Sequence, residues 1–148
     1  MASLADTDRR RTDILHEYFV APERFADFLS ACREIIPGSG QELLNVTLRH
    51  LEADASVLSF APAPRIAAVM LFPQSMTDEG ERSMQAMTER LIDRVLALGG
   101  SYYLPYRLHA RGDQLRAAYP RIEEFSAKKR TYDPQLRFRN MMWEKYFA

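Results

Sequence analysis

Between positions 42 and 51 the chain alternates. Leu44, Val46 and Leu48 fall to one side, and Asn45, Thr47 and Arg49 to the other, the period-two pattern of a strand with two unlike faces. Residues 14–20 (Ile-Leu-His-Glu-Tyr-Phe-Val) are rich in branched and aromatic side chains and stop before Pro22, which predicts a first strand. Pro22 suits the first turn of a helix. Phe25, Phe28, Leu29, Cys32, Ile35 and Ile36 then recur at helical spacing as far as Pro37-Gly38. Residues 65–72 are apolar on both faces, as a central strand is. After Pro73, Thr77 is a cap and Asp78, Glu79 and Glu81 complement the dipole of a helix. Met84, Met87, Leu91, Val95 and Leu98 form its buried stripe, and Gly99-Gly100 ends it. Residues 101–104 predict a last strand before Pro105. Residues 1–13 show no periodicity and are read as a disordered tail, with one domain over 14–148.

The order β-α-β-β-α-β predicts an α+β, ferredoxin-like fold: an antiparallel sheet with helices on one face. A helical tail follows over 113–119 and 122–132, ended by Asp133-Pro134. Such a sheet leaves one face without helices. Asn45, Thr47 and Arg49 belong to that face. Tyr102 and Tyr103, adjacent on a strand, point to opposite faces, so one of them joins Thr47 and Arg49.

Composition narrows the classes of function. The 148 residues make about one domain, 47% hydrophobic. Twenty basic residues balance twenty acidic ones, which argues against a nucleic-acid binder held by phosphates. RNA binding through the sheet would need RNP-like aromatics on the central strands and a basic surface, and residues 65–72 have neither. The single cysteine, Cys32, excludes an internal disulfide framework and a multi-cysteine metal site; on the apolar helix stripe it reads as packing. No apolar run approaches the ~18 residues of a membrane span, and no signal-like segment opens the chain, so a cytoplasmic protein is expected. His16, His50 and His109 are scattered without metal-ligand spacing, so no metal site is expected. No phosphate-binding glycine loop or nucleophile elbow is present, and Glu123-Glu124 reads as a solvated helix face.

The C-terminal run Ala118-Tyr119-Pro120-Arg121, Phe125, Lys129-Arg130-Thr131-Tyr132-Asp133-Pro134, Phe138-Arg139-Asn140 and Tyr146-Phe147 carries a resemblance. It is similar to the end of FAD-linked oxidases and dehydrogenases of the vanillyl-alcohol-oxidase type, with alditol oxidases, sugar-lactone oxidases and cytokinin dehydrogenases as relatives. Their chains close on a K/R-x-x-x-D-P-x-x-x-F-x-N signature. Glu17-Tyr18-Phe19-Val20-Ala21-Pro22 resembles a strand of the same enzymes, as does Gly100-Ser101-Tyr102-Tyr103-Leu104-Pro105. The resembling segments run in the family's order from position 14 to the C-terminus.

The resemblance implies a substrate, or cap, domain whose open sheet face lies over the flavin. It implies that Tyr103 and Asn140 approach the FAD. Asn45, Thr47, Arg49 and Tyr106 would contact a small-molecule substrate, and Arg49, Tyr106 and His109 would stabilise charge or move a proton. Thr47 replaces an acidic residue of the alditol oxidases and Tyr106 a lysine, so a polyol substrate is not implied. The family's FAD-binding domain would precede position 14. The chain is therefore expected to be a fragment or subunit that works with an FAD-binding domain or subunit and is inactive alone. The other reading open at this point is a stand-alone ferredoxin-like module that binds a ligand or forms a homodimer through its exposed sheet face.

Overall fold

The computed structural model describes residues 10–148; positions 1–9 of the tail read over 1–13 lie outside the described residues. Four strands form one antiparallel sheet: β1 (Arg11–Val20), β2 (Asn45–Leu51), β3 (Arg65–Ser75) and β4 (Ser101–Tyr102), in the order β2-β3-β1-β4. Helix α1 (Phe25–Gly38) connects β1 to β2, and α2 (Asp78–Ala97) connects β3 to β4. Each connection steps over one strand, which is the split-βαβ, ferredoxin-like arrangement within the α+β class. The tail adds α3 (Gly112–Ala118), α4 (Ile122–Tyr132) and α5 (Met141–Tyr146).

The first strand starts at Arg11, three residues ahead of the periodic segment. Arg11, Thr12 and Asp13 pair with Ser75, Gln74 and Pro73. Their backbone groups complete the ladder, and that contribution is independent of side-chain hydrophobicity. The last strand is shorter than the pattern predicts, because the chain leaves the sheet after Tyr102 and turns at Pro105, which has no N–H to give.

Helix α2 is fixed at both ends. Thr77 Oγ1 accepts from the Gly80 N–H at 3.1 Å, and three carboxylates occupy the first turn. At the other end Gly99 has φ +69°, and the Gly100 N–H reaches the Val95 carbonyl at 2.9 Å. A Cβ at Gly100 would lie 2.4 Å from the Phe19 carbonyl and 2.8 Å from Val95 Cγ1. Only glycine lets the helix end pass so close to β1.

The core lies between the sheet and its two long helices. Ile14, Tyr18 and Val20 of β1 and Ala68, Met70 and Phe72 of β3 face Phe28, Cys32 and Ile35 of α1 and Met84, Met87, Leu91, Ile92 and Val95 of α2. Burying each large apolar side chain contributes about 1.5–3 kcal/mol. Leu115, Tyr119 and Ile122 extend this core into the tail, and the Tyr119 hydroxyl donates to the Tyr102 carbonyl. Trp143 of α5 stacks on Phe147 at 5.2 Å and lies under the Arg130 guanidinium. No described helix is long and apolar enough to cross a membrane.

Candidate functional site on the helix-free face of the sheet

Strand register converts the alternating pattern into a grid. Asn45, Leu71 and Leu15 form one row across β2, β3 and β1; Thr47, Val69 and Glu17 form the next; Arg49, Ala67 and Phe19 form the third. Tyr18 pairs with Tyr102, so Tyr102 goes to the helix side. Tyr103 emerges on the open face beside Glu17, and its N–H donates to the Glu17 carbonyl at 2.9 Å. Asn45, Thr47, Arg49 and Tyr103 therefore share one face.

The centre of this face is an ion pair that spans three strands. Arg49 Nη2 on β2 reaches across β3 to Glu17 Oε1 on β1. Strands two apart are about 9.6 Å apart, which a guanidinium on its stem can cover, and the opposite neighbour of Arg49 on β3 is the small Ala67. Burial is uneven: the Glu17 side chain is 5% exposed and that of Arg49 is 52% exposed. The carboxylate anchors the cation, and the cation is presented outward. A bond from a charged donor to a sealed carboxylate is among the stronger side-chain contacts.

An aromatic ladder closes one end of the face. Phe19 stacks on Phe60 at 4.6 Å, Phe60 meets Tyr103 at 5.7 Å, and Tyr103 meets Tyr106 at 4.7 Å. Phe60 comes from the loop between β2 and β3. Asp54 holds that loop, accepting from the Ser56 N–H and the Ser59 hydroxyl, each at 2.7 Å; these bonds hold its carboxyl below the usual range. The Ser101 hydroxyl then donates to the Phe60 carbonyl at 2.7 Å. Burial raises the Tyr106 phenol above its usual value, as do the Glu17 carboxylate and Tyr103, with Arg49 opposing. Tyr106 therefore stays protonated near neutral pH and serves as a hydrogen-bond donor. Glu17, Tyr103 and Tyr106 line a small cavity of about 20 Å³, room for about one water.

His109 and Asn140 lie elsewhere. His109 is on the helix side, in a buried polar chain. Tyr18 Oη lies 3.2 Å from His16 Nδ1, and Thr88 Oγ1 lies 3.5 Å from His16 Nε2 and 3.2 Å from His109 Nδ1. His109 Nε2 is 2.9 Å from Glu81 Oε1. Glu81 also accepts from Gln74, and from Arg107 at 2.8 Å. Burial lowers the His109 imidazole below its usual value, more than Glu81 raises it. Burial acts upward on Glu81, but the bonds from His109 and Gln74 and the nearby positive charges outweigh it and hold the carboxyl low. Both imidazole nitrogens of His109 are engaged, so it is a structural link between α2 and the segment after β4, not a partner of Arg49. Asn140 caps α5, its Oδ1 accepting from the Trp143 N–H at 2.9 Å. Tyr106, His109 and Asn140 do line a cleft of about 630 Å³ with Glu81, Arg107 and Lys145. Only Tyr106 belongs to both that cleft and the open face.

Glu17, Phe60, His16, Thr88 and Glu81 were not among the candidate site residues read from the sequence. Glu17 carried a signal, since its parity in β1 opposes that of His16 and Tyr18. Phe60 sits in a loop and Thr88 in a helix interior, where no pattern marks them. Cys32 is buried and its thiol is pushed up to about 12 by burial. Among the described residues no group of His, Cys, Asp and Glu could hold a metal ion. No protein-family model matches the chain, and no curated protein matches it.

Proposed function

We propose that this chain is the substrate-side domain of an FAD-dependent oxidoreductase that oxidises a small alcohol or amine, working with an FAD-binding domain or subunit. The observation that carries this reading is the grid itself: Asn45, Thr47, Arg49 and Tyr103 share the helix-free face around the sealed carboxylate of Glu17. The C-terminal signature that includes Asp133, Pro134, Phe138 and Asn140 supports the same reading by resemblance.

The face suits a planar conjugated group. Its middle is apolar, with half-buried Leu15, Val69 and Leu71, and polar side chains stand along one edge and phenols along the other. At about 4.8 Å between strands, the distance from β2 to the β4 side is about 14 Å, enough for a three-ring system laid flat. FAD, when bound by the partner, supplies the two-electron acceptor for a substrate C–H bond. The chain's own residues would bind and orient the substrate. Arg49, held by Glu17, would set a positive charge beside an oxygen or ring atom gaining negative charge. Thr47 and Asn45 would fix the substrate by hydrogen bonds, and Tyr106 would donate one from a phenol that keeps its proton. Tyr103 and Phe60 would exclude water from one end of the face. His109 would have no part in proton transfer, since its ring is buried and bonded on both sides.

The test is a fluorescence titration of lumiflavin, the isolated ring system, with the full chain. Saturable quenching is expected from contact with Tyr103 and Tyr106. Thr47→Trp, which fills an exposed position on the face, should abolish it while leaving the circular dichroism spectrum unchanged. Absence of saturable quenching at millimolar chain, or quenching untouched by Thr47→Trp, would overturn the assignment.

A further inference from the structure

The two edges of the sheet are built differently. On one side β4 is only two residues long, and the segment after it stays bonded to β1 through the Tyr103 N–H and the Glu17 carbonyl. On the other, β2 runs for seven residues with no strand beyond it among the described residues. The apolar row of β2 lies on the helix side yet is uncovered: Leu44 is 48% exposed, Val46 39% and Leu48 53%. Edge strands are commonly protected by proline, lysine or a bulge. β2 has neither proline nor lysine, and its pairing with β3 runs without interruption from Asn45 to Leu51. Its one arginine, Arg49, bonds Glu17 on the other face.

We propose that a second copy of this chain docks on this edge, the two β2 strands pairing antiparallel about a twofold axis at Val46 to make one eight-stranded sheet. The sequence of the strand selects both the partner and the register. With Val46 opposite its own copy, Leu44 faces Leu48 twice and Glu42 faces His50 twice. The apolar row meets only itself, and its flanks put an acid opposite a base. Moving the axis to Thr47 sets Leu44 against His50 and Glu42 against Glu52, a like-charged pair. Moving it to Leu48 sets Leu44 against Glu52 and Val46 against His50. Directly opposed side chains are the unit of sheet stability, and like charges there are unfavourable. Across the other face of the favoured register Asn45 meets Thr47, a pair able to hydrogen-bond. The formal charge of the chain is zero, so two copies approach without net repulsion. This proposal is independent of the flavin reading.

Sedimentation velocity on the full chain over a range of concentrations tests it, with circular dichroism as the check on folding. A reversible dimer is expected. Val46→Lys places two ammonium groups opposite each other at an already exposed position, and should weaken dimerisation at least about tenfold without unfolding the chain. Glu42→Lys should weaken it less, and Glu42→Lys with His50→Glu should restore it, because each new pair joins opposite charges. Should Val46→Lys fail to fold, the Glu42 and His50 series decides alone, both positions being exposed. A wild-type chain that stays monomeric at every concentration would overturn the proposal. So would a dimer indifferent to Val46→Lys.

Discussion

On either side of the sheet a carboxylate meets a nitrogen base, and the Glu17–Arg49 and Glu81–His109 pairs are built in opposite senses. On the helix-free face the acid is sealed and the base is half outside, as Glu17 and Arg49 show. On the helix side the base is sealed at 4% exposure, and the acid, Glu81, is 44% exposed. Glu81 nevertheless takes bonds from His109, Gln74 and Arg107 together, which uses most of what a carboxylate can accept. Arg49 is tied to Glu17 at one nitrogen and stays half exposed. Exposure alone thus does not mark a group as available: the exposed acid is saturated, and the exposed cation is anchored but presented. The helix-side pair ties α2 to the segment after β4, and the open-face pair presents a half-exposed cation.

The largest expected effect comes from breaking the open-face pair on one side only. Arg49→Met leaves the Glu17 carboxylate sealed without its cation and should cost about 3 kcal/mol in urea unfolding. Adding Glu17→Leu removes the stranded charge and should recover most of that loss, which the same titration reads. If the double variant is no more stable than the single one, Glu17 is not held by Arg49 in the way described.

On the helix side, Thr88→Val keeps the shape and deletes the hydroxyl between His16 and His109. It should cost about 2 kcal/mol, by the loss of hydrogen bonding to buried groups. A smaller effect separates the faces by pH. Burial, with the neighbouring His109 and Arg107, drives the His16 imidazole from 6.5 to about 3. Between those values the unfolded chain takes up a proton that the folded chain refuses, so stability rises with pH and falls on acidification. The slope from His16 is up to about 1.4 kcal/mol per pH unit below pH 6.5. His109, also lowered, acts in the same direction. So does Glu81, whose contribution is lost as pH falls through its depressed value. Unfolding midpoints measured from pH 7 to 5 should fall, and His16→Gln should flatten that slope. The smallest effect is a null one. Cys32, with its thiol near 12, should resist a disulfide reagent in the folded chain and react once urea unfolds it.

The open face was legible in the sequence because a strand's parity is simple to read. Asn45, Thr47 and Arg49 alternate with Leu44, Val46 and Leu48, and the register bears out their common face. The same parity did not reveal that the apolar row is uncovered, since coverage depends on how far the helices extend over an edge strand. Helix α2 was legible from Thr77 to Gly99 through its cap and its stripe. The side of the sheet on which His109 lies was not legible, because it sits on irregular backbone between β4 and α3, where there is no period to say which way a side chain points. Asn140 was assigned by resemblance, while its local role as a cap needs the six-residue α5, which is too short to announce itself by periodicity. The start of β1 went unread because backbone pairing, not side-chain pattern, holds Arg11, Thr12 and Asp13 in the sheet.

A titration of the isotope-labelled chain with lumiflavin, followed by amide chemical shifts, tests most directly that the helix-free face is the one that meets a flavin. Shifts are expected at Thr47, Arg49, Val69 and Tyr103, with His109 and Glu81 unmoved. Shifts confined to the cleft around His109 and Asn140, or none at all, would contradict it.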